Sequence, residues 1–113
     1  MKIDFEWIEQ LDIPNLNGGE GRIVAKMFAD AENKIMLSIL PTGASIGMHR
    51  HISSSEINYC LNGSGKAICD GQEERMELGC CHYCPKGSEH SIANTGEGDL
   101  VLFTVVPEHE KSR

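Results

Sequence analysis

The sequence predicts an all-β sandwich or barrel, on three observations. Short segments of alternating or β-branched residues recur along the chain, clusters of turn-forming residues separate them, and no stretch longer than ten residues keeps a helical period. Strands are expected at 22–28, 34–40, 46–51, 56–61, 66–70, 74–78, 80–84, 91–93 and 100–106. The breaks between them are PTG at 41–43, NGSG at 62–65, DG at 70–71, PKG at 85–87 and NTGEGD at 94–99. The NG and DG pairs suit turns that need positive φ, and the GSGK at 63–66 reads as a hairpin turn. It is no phosphate loop, because Ala67 stands where a hydroxyl is required and no helix follows. Residues 1–21 form an N-terminal arm or edge strand. Within them DFEWIEQL fits either one helical turn or an edge strand, and NLNGGEG reads as a loop. Residues 22–113 are expected to form one barrel domain.

The 113 residues allow one core and leave no room for a second. Seventeen acids against ten bases give a net charge of −7, which repels phosphate backbones, so nucleic acid is not an expected partner. Apolar runs as short as LVLF cannot span a bilayer, and MKIDFEWIEQ has acids where an export signal needs positive charge. A cytoplasmic address is therefore expected, with Cys60, Cys69, Cys80, Cys81 and Cys84 as reduced thiols.

The chemistry is concentrated in two blocks. The first, GASIGMHRHISSSEINYCLNG, places Gly43, His49, His51, Glu56 and Gly63; the second, GCCHYCPKGSEHSIAN, places Gly79, Pro85, Gly87, His90 and Asn94. These ten positions, with fifteen residues between the blocks, resemble the paired motifs of the cupin superfamily at every fixed position. A single HxH would carry little weight. The resemblance implies a double-stranded β-helix, or jelly-roll, barrel. It also implies one divalent transition metal ion, Fe, Mn, Ni, Zn, Cu or Co, held by His49, His51, Glu56 and His90.

Strand geometry supports that ligand set. Side chains alternate faces, so His49 and His51 project together while Met48 and Arg50 project away. A hairpin-like connection through ISSS would return Glu56 beside them, and a loop stiffened by Pro85 would present His90. Imidazole and carboxylate together suit first-row ions, and a six-coordinate ion keeps positions open for water or substrate. Along the strand from Glu56, Asn58 and Cys60 share the inward face, with Ile57, Tyr59 and Leu61 turned out. Asn58 is placed to bond a ligand oxygen. Cys60 is placed to offer a thiol, although a small buried hydrophobe accounts for it better. Cys81 and Cys84 fall on opposite faces, which argues against a second metal site, and Ser53, Ser54 and Ser55 lack an activating histidine and acid.

Family members of this size include dioxygenases, isomerases, decarboxylases, lyases and proteins that only bind a ligand. The leading expectation is a metal-dependent enzyme acting on a small oxygen-rich metabolite, with Tyr59, Tyr83, Asn58, His82 and Glu89 as candidate proton carriers or substrate contacts. The alternative is a non-catalytic module that binds a sugar or carboxylate. A homodimer is expected, since small jelly rolls leave sheet edges and an apolar face to cover, with residues 1–8 pairing across the partner.

Overall fold

The computed structural model describes residues 1–110. It contains ten strands: β1 (Leu11–Pro14), β2 (Arg22–Ala29), β3 (Asn33–Leu40), β4 (Ser45–Arg50), β5 (Glu56–Asn62), β6 (Ser64–Cys69), β7 (Gln72–Glu77), β8 (Cys81–Cys84), β9 (Glu89–Ala93) and β10 (Leu100–Pro107). They form a six-stranded sheet in the order β1-β2-β3-β10-β5-β8 and a four-stranded sheet in the order β4-β9-β6-β7. Each hydrogen-bonded pair of strands is antiparallel. From β3 onward the chain changes sheet at every connection except the β6–β7 hairpin, which is the jelly-roll arrangement.

Alternation decides what lies between the sheets. Leu100 and Leu102 on β10, Leu40 on β3 and Cys60 on β5 meet Ala67, Met76 and Ile92 from the other sheet, all buried. Each large aliphatic side chain among them contributes roughly 1.5–3 kcal/mol by leaving water.

The hairpin DG at Asp70 and Gly71 turns as expected, with φ of 49° and 78°. Two expected hairpins are crossings instead. Asn62-Gly63 joins β5 to β6 in opposite sheets, and ISSS carries the chain from β4 in one sheet to β5 in the other. Glu56 therefore faces the histidine strand across the interior and does not sit beside it. Gly63 keeps the positive φ the motif suggested, and passes so close to the Asp99 backbone that a Cβ would strike it.

The N-terminal residues contribute a short helical turn and an edge strand. Phe5–Trp7 forms one turn of 3-10 helix, capped by Asp4, and Phe5 packs edge-on against Phe103 of the same chain, with ring centroids 6.3 Å apart. β1 pairs with β2, and a tight turn at Leu16–Gly18, with Asn17 at φ 53°, lies against β4. That contact requires glycine at position 47, where a Cβ would collide with the Asn17 carbonyl oxygen. Gly47→Ala is thus expected to lower the urea midpoint by the equivalent of about 1–3 kcal/mol, an overpacking cost that equilibrium unfolding would measure.

Candidate metal centre

β4 carries His49 near its end, and His51 lies just beyond. The ladder between β4 and β9 slips between Ile46 and His49, so a bulge lets both side chains face inward although they are three residues apart. On β9, His90 is the direct cross-strand partner of His49. His90 therefore stands within a strand, one that begins two residues earlier than the sequence suggested. The preceding loop, with Gly87 at φ 87°, is stitched to His51 by Gly87 N–H donating to His51 O and His51 N–H donating to Ser88 O, the latter at 3.0 Å. Glu56 comes from the opposite sheet, at the first position of β5.

The four side chains converge. His90 Nε2 lies 3.1 Å from both His49 Nε2 and His51 Nε2 and 3.3 Å from Glu56 Oε2, while His51 Nε2 lies 3.2 Å from Glu56 Oε1. One donor atom from each falls within 4.8 Å of the others, and no second cluster of this kind occurs among the described residues. Donors bound at ~2.1 Å and at right angles to one another sit ~3.0 Å apart, so the separations suit a transition metal ion.

Outer contacts orient each ring. The Gly47 carbonyl only accepts, so His49 donates Nδ1–H to it at 2.8 Å and presents a bare Nε2. His51 Nδ1 lies 3.0 Å from the Ser54 hydroxyl, and His90 Nδ1 lies 2.9 Å from Nε2 of His82. With the same tautomer in all three rings, three Nε2 lone pairs and a carboxylate face one point. A cation there removes their mutual repulsion. Asn58 donates to Glu56 Oε2 at 2.7 Å and accepts from the Thr104 hydroxyl at 2.6 Å, which fixes the carboxylate in turn.

Burial alone would keep Glu56 neutral. Hydrogen bonds from His51 and Asn58 and electrostatic attraction to the His90 and His51 side chains overcome it and hold the carboxyl down at about 2. Burial pushes His90 down to about 4, against the pull of Glu56. Near neutral pH the pair is thus an ionised carboxylate and an uncharged imidazole, the forms a metal requires.

The candidate pocket residues separate clearly. Asn58 lines the cavity beside Glu56, and His82 is buried directly behind His90. Cys60 is in the core, and burial raises its thiol pKa, consistent with a small hydrophobe; burial likewise pushes Cys84 up to about 12. Tyr59 and Tyr83 point outward, 42% and 56% exposed, and Glu89 pairs with Arg50 on the outer side of β4 and β9. These three are not cavity groups, because alternation along β5, β8 and β9 turns them away. On β8, Cys81 is exposed and Cys84 buried, on opposite faces as expected.

The cavity measures about 300 Å³. His49, His51 and Glu56 form its floor, and its walls are mostly apolar, including Ile23, Met27, Met36 and Leu102, with Lys34 the basic side chain among them. The sequence reading missed Ile13, Leu16 and Asn17, which close one side. Residues 1–21 read only as an arm or edge strand followed by a loop, and nothing local indicates that the segment returns to the site.

Comparison with known proteins agrees with this geometry. Residues 36–106 match the model of the Cupin domain, and the chain belongs to the cupin family. It is 34% identical over 100 residues to an oxalate-binding protein of Thermotoga maritima, covering 83% of each chain. It is 29% identical over 77 residues to an uncharacterized protein of Methanocaldococcus jannaschii, covering 68% of this chain and 62% of that one. Among solved structures, it superposes with a TM-score of 0.89 and 28% identity on a Thermotoga maritima protein described as a predicted oxalate decarboxylase, covering 96% and 99% of the two chains. The cupin domain of Schizosaccharomyces pombe Cnp3 shares the fold, with a TM-score of 0.79 at 13% identity and coverage of 96% and 74%. Among the described residues no helix is long and apolar enough to cross a membrane.

The buried groups also set a pH dependence. His90 has its pKa lowered on folding from 6.5 to about 4, so between those values only the unfolded chain takes the proton. Metal-free protein should lose on the order of 3 kcal/mol of stability as pH falls through that window, with Glu56 adding a further loss below its ordinary 4.5. Urea melts at several pH values would show this, and a profile flat from 6.5 to 4 would contradict it.

Proposed function

We propose that this cupin holds one divalent transition metal ion on His49, His51, Glu56 and His90, and through it binds a small carboxylate. The observation that carries the reading is the convergence of four donor atoms, three of them from residues that line a cavity. When bound, the ion would supply Lewis-acid attraction for ligand oxygens. The oxalate-binding relative supports a ligand that chelates through adjacent oxygens. Lys34 supplies a cation on the cavity wall for a carboxylate, and Asn58, Ser38 and Thr104 are neutral polar groups there. By liquid-water volume the cavity accommodates about ten water-sized groups. A two-carbon dianion fills only part of it, and the apolar walls favour a carboxylate with a hydrocarbon portion.

Binding without turnover is the reading favoured here over the enzyme expected from the motif. Tyr59, Tyr83 and Glu89, three of the proposed proton carriers, face away from the cavity. One observation favours a second reading, a decarboxylase or lyase: Lys34, on the cavity wall and outside the ligand set, is a group of the kind that donates protons in catalysis. Elemental analysis of protein purified without chelator should find an ion that His49→Ala loses while remaining folded. Calorimetric titration of the loaded protein with oxalate and larger carboxylates should then give binding that Lys34→Met weakens about tenfold, the loss expected for one charge-assisted hydrogen bond. Equal metal in both proteins would remove the site. Carbon dioxide release during the titration would establish the second reading.

We also propose that a second copy of the chain covers the outer face of the six-stranded sheet. Ile57, Tyr59, Leu61 and Tyr83 are each more than a third exposed there, an apolar and aromatic surface on an otherwise acidic chain. Light scattering at micromolar concentration should return a dimer mass, and Tyr83→Glu should shift it to the monomer.

A further inference from the structure

Behind His90 lies a line of groups with no place in the ligand set. His90 Nδ1 meets Nε2 of His82 at 2.9 Å, and His82 Nδ1 meets the carboxylate of Glu74. The two imidazole planes lie within 23° of each other with centroids 5.1 Å apart. That separation, with so short an N–N contact, places the rings edge to edge, as an in-line hydrogen bond requires. The side chain of His82 is 1% exposed and that of Glu74 49% exposed. The line therefore runs from the metal centre to the surface.

Its position in the fold is specific. β7 and β8 are the outer strands of the two sheets at the same end of the sandwich, with no ladder between them. Glu74 shares the inward face of β7 with buried Met76, and His82 shares that of β8 with buried Cys84. Glu74 is half exposed, so its carboxylate keeps water on one side while the other meets the imidazole that backs a ligand.

Hydrogen bonding permits a single pattern once His90 Nε2 is committed to an ion. Neutral His90 then carries its hydrogen on Nδ1 and donates it to His82, whose Nε2 must accept. The hydrogen of His82 therefore lies on Nδ1 and is donated to Glu74, which only accepts when ionised. We propose that Glu74 and His82 are positioning residues for the metal centre: they hold His90 in the tautomer and orientation that expose Nε2, and so raise the affinity for the ion. The inference rests on the metal-binding reading of His90.

Zinc affinity, measured by competition with a chromophoric chelator at neutral pH, is the test. His82→Leu should weaken zinc binding by about 10–100-fold, the usual effect of removing an outer partner of a ligating histidine. Glu74→Ala should weaken it in the same direction, and His82→Gln should restore part of the loss because its amide oxygen accepts from His90 Nδ1–H. Glu73→Ala removes the same charge from the neighbouring position, where the side chain pairs with Lys66 on the surface, and should leave affinity unchanged. Long-range proton–nitrogen spectra of the zinc-loaded protein should show His90 and His82 both protonated on Nδ1, and Glu74→Ala should remove that preference at His82. A purely structural seam between the sheets would alter the melting temperature and leave the tautomers as they were. If His82→Leu does not fold, Glu74→Ala, at a half-exposed position, decides the matter. Zinc affinity within twofold of the unaltered chain for Glu74→Ala, with His82 still protonated on Nδ1, would overturn this proposal alone. No zinc affinity in the unaltered chain would overturn it together with the metal site.

Discussion

One carboxylate buried between two sheets is the constraint on which the rest of this structure depends. Glu56 is 7% exposed, and an ionised acid at that depth is tolerated only with positive or hydrogen-bonding partners around it. The partners are drawn from every part of the fold. His51 and His90 come from the far side of the sandwich, and Asn58, steadied by Thr104, from the carboxylate's own sheet. Crossing connections on either side of β5 are what place Glu56 opposite the histidines. The same sheet-switching that defines the jelly roll thus assembles the donor set.

The other polar groups of the interior follow from that arrangement. Every side-chain nitrogen or oxygen among the described residues that is fully buried has a partner. Gly47 serves twice, accepting the His49 hydrogen through its carbonyl and letting Asn17 approach where a larger residue would collide. Loop packing, ring orientation and cavity shape are therefore coupled through one residue that carries no functional group.

How much of this was legible in the sequence depended on the range of the interaction. Strand positions were readable because alternation and turn residues are local signals, and parity put His49 with His51, and Glu56 with Asn58 and Cys60, on shared faces. The donor set was readable because its spacing forms a recognisable pattern. Parity could not say which sheet a strand joins, so the links through ISSS and Asn62-Gly63 looked like hairpins. It turned Tyr59 outward but left open which face of 80–84 meets the cavity, and therefore where Tyr83 points. Glu74 was the least accessible. Its shared face with Met76 marks it as an inward acid, but its partner lies across a seam between two edge strands, where no ladder or sequence spacing relates the two.

The cavity wall has a consequence for how relatives of this chain come to differ. The region matching the family begins at residue 36, yet Ile13, Leu16, Asn17, Ile23, Ala25, Met27 and Lys34 all line the cavity from before that point. A large share of the wall around the guest is thus encoded ahead of the stretch that would grip the ion. Drift in the first thirty-odd residues can retune ligand choice while every histidine stays in place. Two proteins with identical motifs can consequently diverge in what they hold, and a comparison confined to the motif would score them as equals.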